Sequence, residues 1–271
     1  MHEHRNIAMI RRALEVYNSG DDNAMRGSLA DDILWHVGGN HEMSGDYIGI
    51  EAVVDYFRRV RRETAGTLQF EPAEILANDR HASIFMRVSA YRDVRWMDVL
   101  LAEALTSTQR ALDGVLGPGQ RSGRGRRVLV LRTTMEHPNA TRMRQTVGAF
   151  MAGDIPLLLD GFAENVVWYA PGDTPASGRF RGREGVRRFF TMMDEASGGT
   201  LRVEVDDVLA GDRYVTIFLN ITAHRHGERM SVVVAQFAEV DEHGRWSRCW
   251  FLPDKLAEWN RFFAGANSET H

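Results

Sequence analysis

Few side chains in this sequence announce chemistry by type and spacing alone. Glu103 lies inside the apolar run Val99-Leu-Leu-Ala-Glu-Ala-Leu, where a carboxylate is costly unless it has a partner or a task. Of the two, a hydrogen bond across the interface between two repeats of the chain is the favoured expectation. His224 and His226 stand at i,i+2 beside a hairpin, a weak pair for zinc without a third ligand. The single cysteine, Cys249, excludes a disulfide framework and a thiolate cluster. Arg58, Arg59, Arg61 and Arg62 read as a solvated helix face. No Gly-rich phosphate loop, nucleophile elbow or metal motif occurs. Any chemistry is therefore expected to proceed without a metal or a redox cofactor.

The chain that must position these groups has 271 residues, 44% of them hydrophobic and 26% charged, with a formal net charge of -4. That length suits two domains, each able to bury a core. Ordinary apolar content and low net charge exclude global disorder. No apolar run approaches a membrane span, and the opening Met1-His-Glu-His-Arg-Asn carries no secretory h-region. The slightly acidic balance argues against nucleic acid as the main partner. A cytoplasmic protein is expected, with no membrane partner.

Set against itself, the sequence matches in one register, residue n with residue n+133. His4-Arg-Asn meets His137-Pro-Asn, Asn18-Ser-Gly-Asp meets Met151-Ala-Gly-Asp, and Leu76-Ala-Asn-Asp-Arg meets Leu209-Ala-Gly-Asp-Arg. A gapless match over roughly 105 positions means two copies of one domain. Each copy opens with a helix, 5–18 and 138–151, stopped by Gly20 and Gly153. A strand (Ile33–Val37, Val166–Ala170), a Gly- and Asp-rich loop and a helix (Ile50–Arg62, Arg183–Glu195) follow. Extended segments close the second copy: Leu201–Leu209, Arg213–Arg225, Arg229–Val240 and Trp246–Leu252. Helices first and an antiparallel sheet afterwards is an α+β order.

After Thr108 the register fails, and Asp113–Arg127 reads as a solvated Gly/Arg connector, with an Arg/Gly nucleic-acid tail as the lesser alternative. Shifted by one base with GC-rich codons, Leu112–Leu129 would instead encode Trp-Thr-Glu-Tyr-Trp-Ala-Leu-Ala-Asn-Asp-Gln-Ala-Ala-Ala-Val-Glu-Phe-Trp, a strand and helix suited to the missing end of the first copy. A local frameshift is therefore a hypothesis. Codons incompatible with the second frame would end it.

Three stretches carry a family resemblance: Phe162-Ala-Glu-Asn-Val-Val-Trp-Tyr-Ala-Pro-Gly, Gly178-Arg-Phe-Arg-Gly-Arg-Glu-Gly-Val-Arg-Arg-Phe-Phe and the closing Trp250 to Phe262-Phe263. They resemble the SnoaL-like branch of the nuclear-transport-factor-2-like superfamily, which includes polyketide cyclases and ketosteroid-isomerase relatives. The resemblance implies two tandem cones, each a bent antiparallel sheet around helices. The expected division is 1–110 (with its last strand missing or altered), a linker at 111–133, a second cone at 134–265 and a tail at 266–271. The cones would pair within the chain or across a homodimer.

The resemblance also implies where a ligand would sit, between the concave sheet and the helices. The apolar face Val215, Ile217, Leu219, Ile221 and Ala223 is the expected cavity wall. The isomerase base falls on Val37 and Ala170, its tyrosine on Ala13 and Thr146, and its second acid near Ala102 and Ala235, so that triad is lost in both copies. In an epoxide-hydrolase arrangement Arg248 stands on the last strand. Arg248, Asp173 and Tyr169 are thus the expected catalytic groups. Trp168, Ala170, Ile221, Ala235, Phe237, Trp250 and, in the first copy, Trp35 are the expected ligand contacts. The implied function is a cofactor-independent cyclase, isomerase or epoxide-opening hydrolase acting on an apolar, polyketide-like metabolite. A non-catalytic carrier of a hydrophobic ligand is the alternative. Because the second copy keeps every element, the ligand is expected there.

Overall fold

The computed structural model describes residues 4–38, 42–92, 95–106 and 137–264. The expected connector, the hypothetical frameshifted segment and the tail lie outside them. The chain divides into two compact units, the second beginning its continuous run at His137.

In the first unit α1 (Arg5–Ser19), α2 (Asp22–Arg26), β1 (Leu34–Val37), β2 (Gly45–Ile48) and α3 (Ile50–Glu63) precede β3 (Gln69–Ala77), β4 (His81–Arg92) and β5 (Arg95–Thr106). The second runs α4 (Pro138–Ala152), α5 (Ile155–Asp160), β6 (Phe162–Ala170), β7 (Gly178–Arg181), α6 (Gly182–Ala196), β8 (Arg202–Ala210), β9 (Tyr214–Arg225), β10 (Glu228–Val240), β11 (Trp246–Pro253) and α7 (Leu256–Ala264). Several elements coincide end for end at the 133-residue offset, because the local signals are duplicated with the fold. His4 and His137 each accept from the backbone N–H two residues on, and Gly20 (φ 73°) and Gly153 (φ 70°) each end a helix in the left-handed region. The pairing of β3 shifts between Pro72 and Glu74, and that of β8 between Val205 and Asp207, the same place in the repeat. An irregularity of this kind bends a strand and increases its local twist.

The units differ in how the sheet is joined. In the second, six strands run in the order β7-β6-β11-β10-β9-β8, with β11 parallel to β6 and antiparallel to β10. In the first, among the described residues, β1-β2 and β3-β4-β5 are separate sheets, because no strand stands in the β11 position. Met97, Val99 and Leu101 on β5 are 42%, 44% and 44% exposed, whereas their counterparts Met230, Val232 and Val234 are at most 2% exposed. Among the described residues, the helix-facing core of the second unit is one cluster, while in the first Ile10, Leu14 and Ile84 with neighbours stand apart from Met25, Val53, Val54 and Phe57. No helix among the described residues is long and apolar enough to cross a membrane.

A matched asparagine ties each first helix to a strand turn. Asn6 Nδ2 donates to the Asn78 carbonyl at 2.7 Å, and Asn139 Nδ2 to the Gly211 carbonyl at 2.9 Å. Asn139→Ala should lower stability by about 1 kcal/mol, read as a lower urea midpoint, and Asn6→Ala should do likewise.

Candidate functional site

In the second unit a cavity lies between the concave sheet face and the helices. Val147 and Phe150 of α4 and Phe189, Phe190 and Met193 of α6 line its helical side. Leu219 and Ile221 of β9, Val234 of β10 and Phe251 of β11 line the sheet side, and Trp259 of α7 helps to close it. The sheet residues project inward because strand alternation puts every second side chain on one face.

Of the side chains in this wall that carry a polar atom, Trp168, Gln236 and Thr146 differ in how that atom is satisfied. Trp168 is 3% exposed and packs parallel to Trp246, ring centroids 6.4 Å apart, with Phe189 and Phe190 also against it. Its Nε1 is buried without a hydrogen-bond partner. Gln236, 6% exposed, likewise has a buried Nε2 with no partner. Thr146 differs, for its hydroxyl donates to the Arg142 carbonyl at 3.0 Å. A Cβ on Gly161 would fall 2.3 Å from Thr146 Oγ1, so glycine there makes room for this side chain.

Of the residues expected from sequence, Trp168 and Ile221 line the cavity. Ala170 is buried in the surrounding core without reaching the cavity wall. Ala235, Phe237 and Trp250 are corrections. Val234 and Gln236 point inward on β10, so Ala235 and Phe237 face the other way, and Phe237 stacks on Trp250 at 6.3 Å. Arg248 is on that outer face too. It pairs in register with Glu239, its guanidinium 3.5 Å from the carboxylate. Tyr169, next to inward-facing Trp168, is 38% exposed, and Asp173 is exposed on its loop, its backbone N–H donating to Asn260. The structure does not bring Arg248, Asp173 and Tyr169 together at the cavity.

The first unit holds the titratable groups. Trp35 sits with Tyr17, Tyr47, Tyr56 and Phe57 around one aromatic cluster, in which Tyr17 stacks on Phe57 at 4.9 Å. Glu103 pairs in register with Ile84, so it shares the concave face with the residues that pack under α1. Burial pushes its carboxyl up to about 7. The Tyr17 phenol is raised by burial and then by the Glu103 charge, and Tyr56 by burial and then by Tyr47 and Glu103. Tyr47 is partly engaged already, donating to the Met43 carbonyl at 2.9 Å.

The lost acid and phenol therefore have near neighbours. Glu103 stands one residue after Ala102, and Tyr17 one helical turn after Ala13. The signal that could have found them is the internal repeat. Tyr17, Tyr47, Tyr56 and Glu103 correspond to Phe150, Phe180, Phe189 and Gln236. At each position the second copy keeps the shape and drops the ionisable group. Among the described residues, no three His, Cys, Asp or Glu side chains cluster as metal ligands would.

The family model for the SnoaL-like domain matches the chain twice, over residues 10–114 and 143–249. Uncharacterised proteins of Mycobacterium bovis (Mb0035) and Mycobacterium tuberculosis (Rv0034) are each 33% identical over 87 residues, 32% of this chain. The chain spans 66% of the length of these relatives. Among solved structures, Bal32a from a soil-derived mobile gene cassette is 29% identical, with a TM-score of 0.44, over 46% of this chain and 95% of that one. An NTF2-like protein of Burkholderia xenovorans is 20% identical, with a TM-score of 0.38, over 46% and 95%. The family matches fall in both copies of the internal repeat and cover more than half of the sequence, so the chain belongs to the SnoaL-like domain family, as a tandem duplication.

Proposed function

We propose that the chain binds a small, largely apolar, ring-bearing metabolite inside the cone of its second unit. The observation that carries this is the cavity itself, walled by aromatic and aliphatic side chains, with no ionisable residue among those that line it. Apolar surface removed from water there stabilises a ligand by roughly 25 cal/mol per Å². The rings around Trp168 offer edge and face contacts besides. Such a site selects by shape and apolar area, and it supplies no proton donor or acceptor that titrates near neutrality.

A catalytic reading is favoured by one separate observation, Glu103. A carboxyl that titrates near neutrality can both take and return a proton, as isomerisation, cyclisation or epoxide opening requires. On that reading the proton chemistry belongs to the first unit, contrary to the expectation that it would accompany the complete second copy. The two readings describe different cones and are separable by experiment.

Two outcomes test them. A fluorescence titration with 1-aminonaphthalene should show binding weakened by about 1 kcal/mol in Trp168→Leu. The matched Trp35→Leu change should leave the affinity within error. Loss at Trp35 and not at Trp168 would move the site to the first unit. For Glu103 the sign follows from its raised value: the folded chain holds a proton that the unfolded chain has released. Stability should fall as pH rises from about 4.5 to about 7 and then level. Tyr17 and Tyr56 stay neutral through this window. Glu103→Gln should remove that fall, making the variant about 2–3 kcal/mol more stable at pH 8 and nearly unchanged below pH 4.5, by urea denaturation at both values.

A further inference from the structure

We infer that the second unit's cavity selects a ring compound bearing a carbonyl or similar acceptor oxygen, which Trp168 and Gln236 hold by hydrogen bonds. This rests on the proposal that this cone takes up an apolar metabolite. It deepens that proposal by naming the chemistry the ligand must present.

The argument begins with the two orphaned nitrogens. Trp168 Nε1 and Gln236 Nε2 are buried without partners, on side chains 97% and 94% removed from solvent, and both residues line the cavity. Buried polar groups in folded proteins are nearly always paired, and an unpaired one calls for an explanation. An indole N–H can only donate, so what satisfies Trp168 is an acceptor. The Gln236 amide supplies a donor and an acceptor from the same wall. Thr146 does not compete, because its proton already goes to the Arg142 carbonyl. Apart from the indoles of Trp246 and Trp259, the rest of the wall is apolar.

The placement is a consequence of the sheet. Trp168 on β6 pairs with Cys249 on β11, and Gln236 on β10 pairs with Phe251 two residues further along β11. The two polar groups thus enter from strands on either side of β11, all on the concave face. A hydrocarbon in this cavity leaves both nitrogens unpaired. A ketone of the same shape gives the donors an acceptor, and a ligand that pairs a buried donor gains over one that leaves it unmade. The absence of any lining cation argues for a neutral oxygen rather than a carboxylate, whose charge would be buried uncompensated.

The test is calorimetric titration of the full chain with α-tetralone, a bicyclic ketone, and with tetralin, the hydrocarbon of the same shape. The wild-type chain should bind the ketone about tenfold more tightly. In the double variant Trp168→Phe, Gln236→Leu the ketone preference should vanish, the two affinities becoming equal whatever their common value. If circular dichroism shows the double variant unfolded, Gln236→Leu alone is used, and the ketone preference should fall at least threefold. Equal affinities in the wild type, or a preference that survives the substitutions, overturn the assignment of the donors and leave the apolar cavity standing. Failure of both compounds to bind overturns the cavity proposal and this inference with it.

Discussion

The second unit depends on β11 lying between β6 and β10. Its backbone pairs with both neighbours, through Cys249 to Trp168 on one side and Ala238 on the other. Two strand groups that would otherwise expose their edges become one curved sheet. The same strand delivers Trp246 and Phe251 to the cavity wall and Cys249 to the core, and it leads directly into α7, whose Trp259 helps to close the cone. The first unit supplies the comparison. Without a strand in that position among the described residues, its sheet is in two pieces, and β5 shows water the very positions that β10 buries.

Closure and charge are coupled through desolvation. A carboxylate sealed in an apolar cone loses its hydration with nothing to replace it, whereas a neutral amide loses far less. The closed cone carries the neutral Gln236 where the first unit carries Glu103, and the Glu103 carboxyl shows the cost of burial in its rise to about 7. The three Tyr/Phe differences run the same way. Phenols accompany the carboxyl in the first unit, and plain rings line the closed cavity of the second, where Phe150 and Phe189 stand at the positions of Tyr17 and Tyr56. One shape thus carries two kinds of interior, one with a carboxyl and phenols and one lined by neutral, largely apolar side chains.

Much of this protein was determined by local sequence. The duplication follows from a fixed register, and the helix ends follow from His4, Gly20, His137 and Gly153, whose capping geometry the structure shows. Elements such as Gln69–Ala77 and Arg202–Ala210 keep that register because short-range signals were copied with the chain. The apolar face of β9 is also legible as the side that meets the cavity, through Leu219 and Ile221, although Tyr214, Thr216 and Phe218 on the opposite face are buried as well.

Tertiary structure decided the rest. On β10 both candidate faces contain apolar residues, so alternation alone does not say whether Gln236 or its neighbours Ala235 and Phe237 meet the cavity. Pairing with β9 and β11 settles it. The same one-residue ambiguity separates Ala102 from Glu103, and a slip of one residue turns a side chain to the opposite face of a sheet. Arg248 is chemically suited to an active site, yet cross-strand register sets it beside Glu239, where the opposite charge satisfies it. Sequence thus specifies what each element is. Which side of each strand looks inward, and which groups are left there without partners, depends on register between strands distant in the chain.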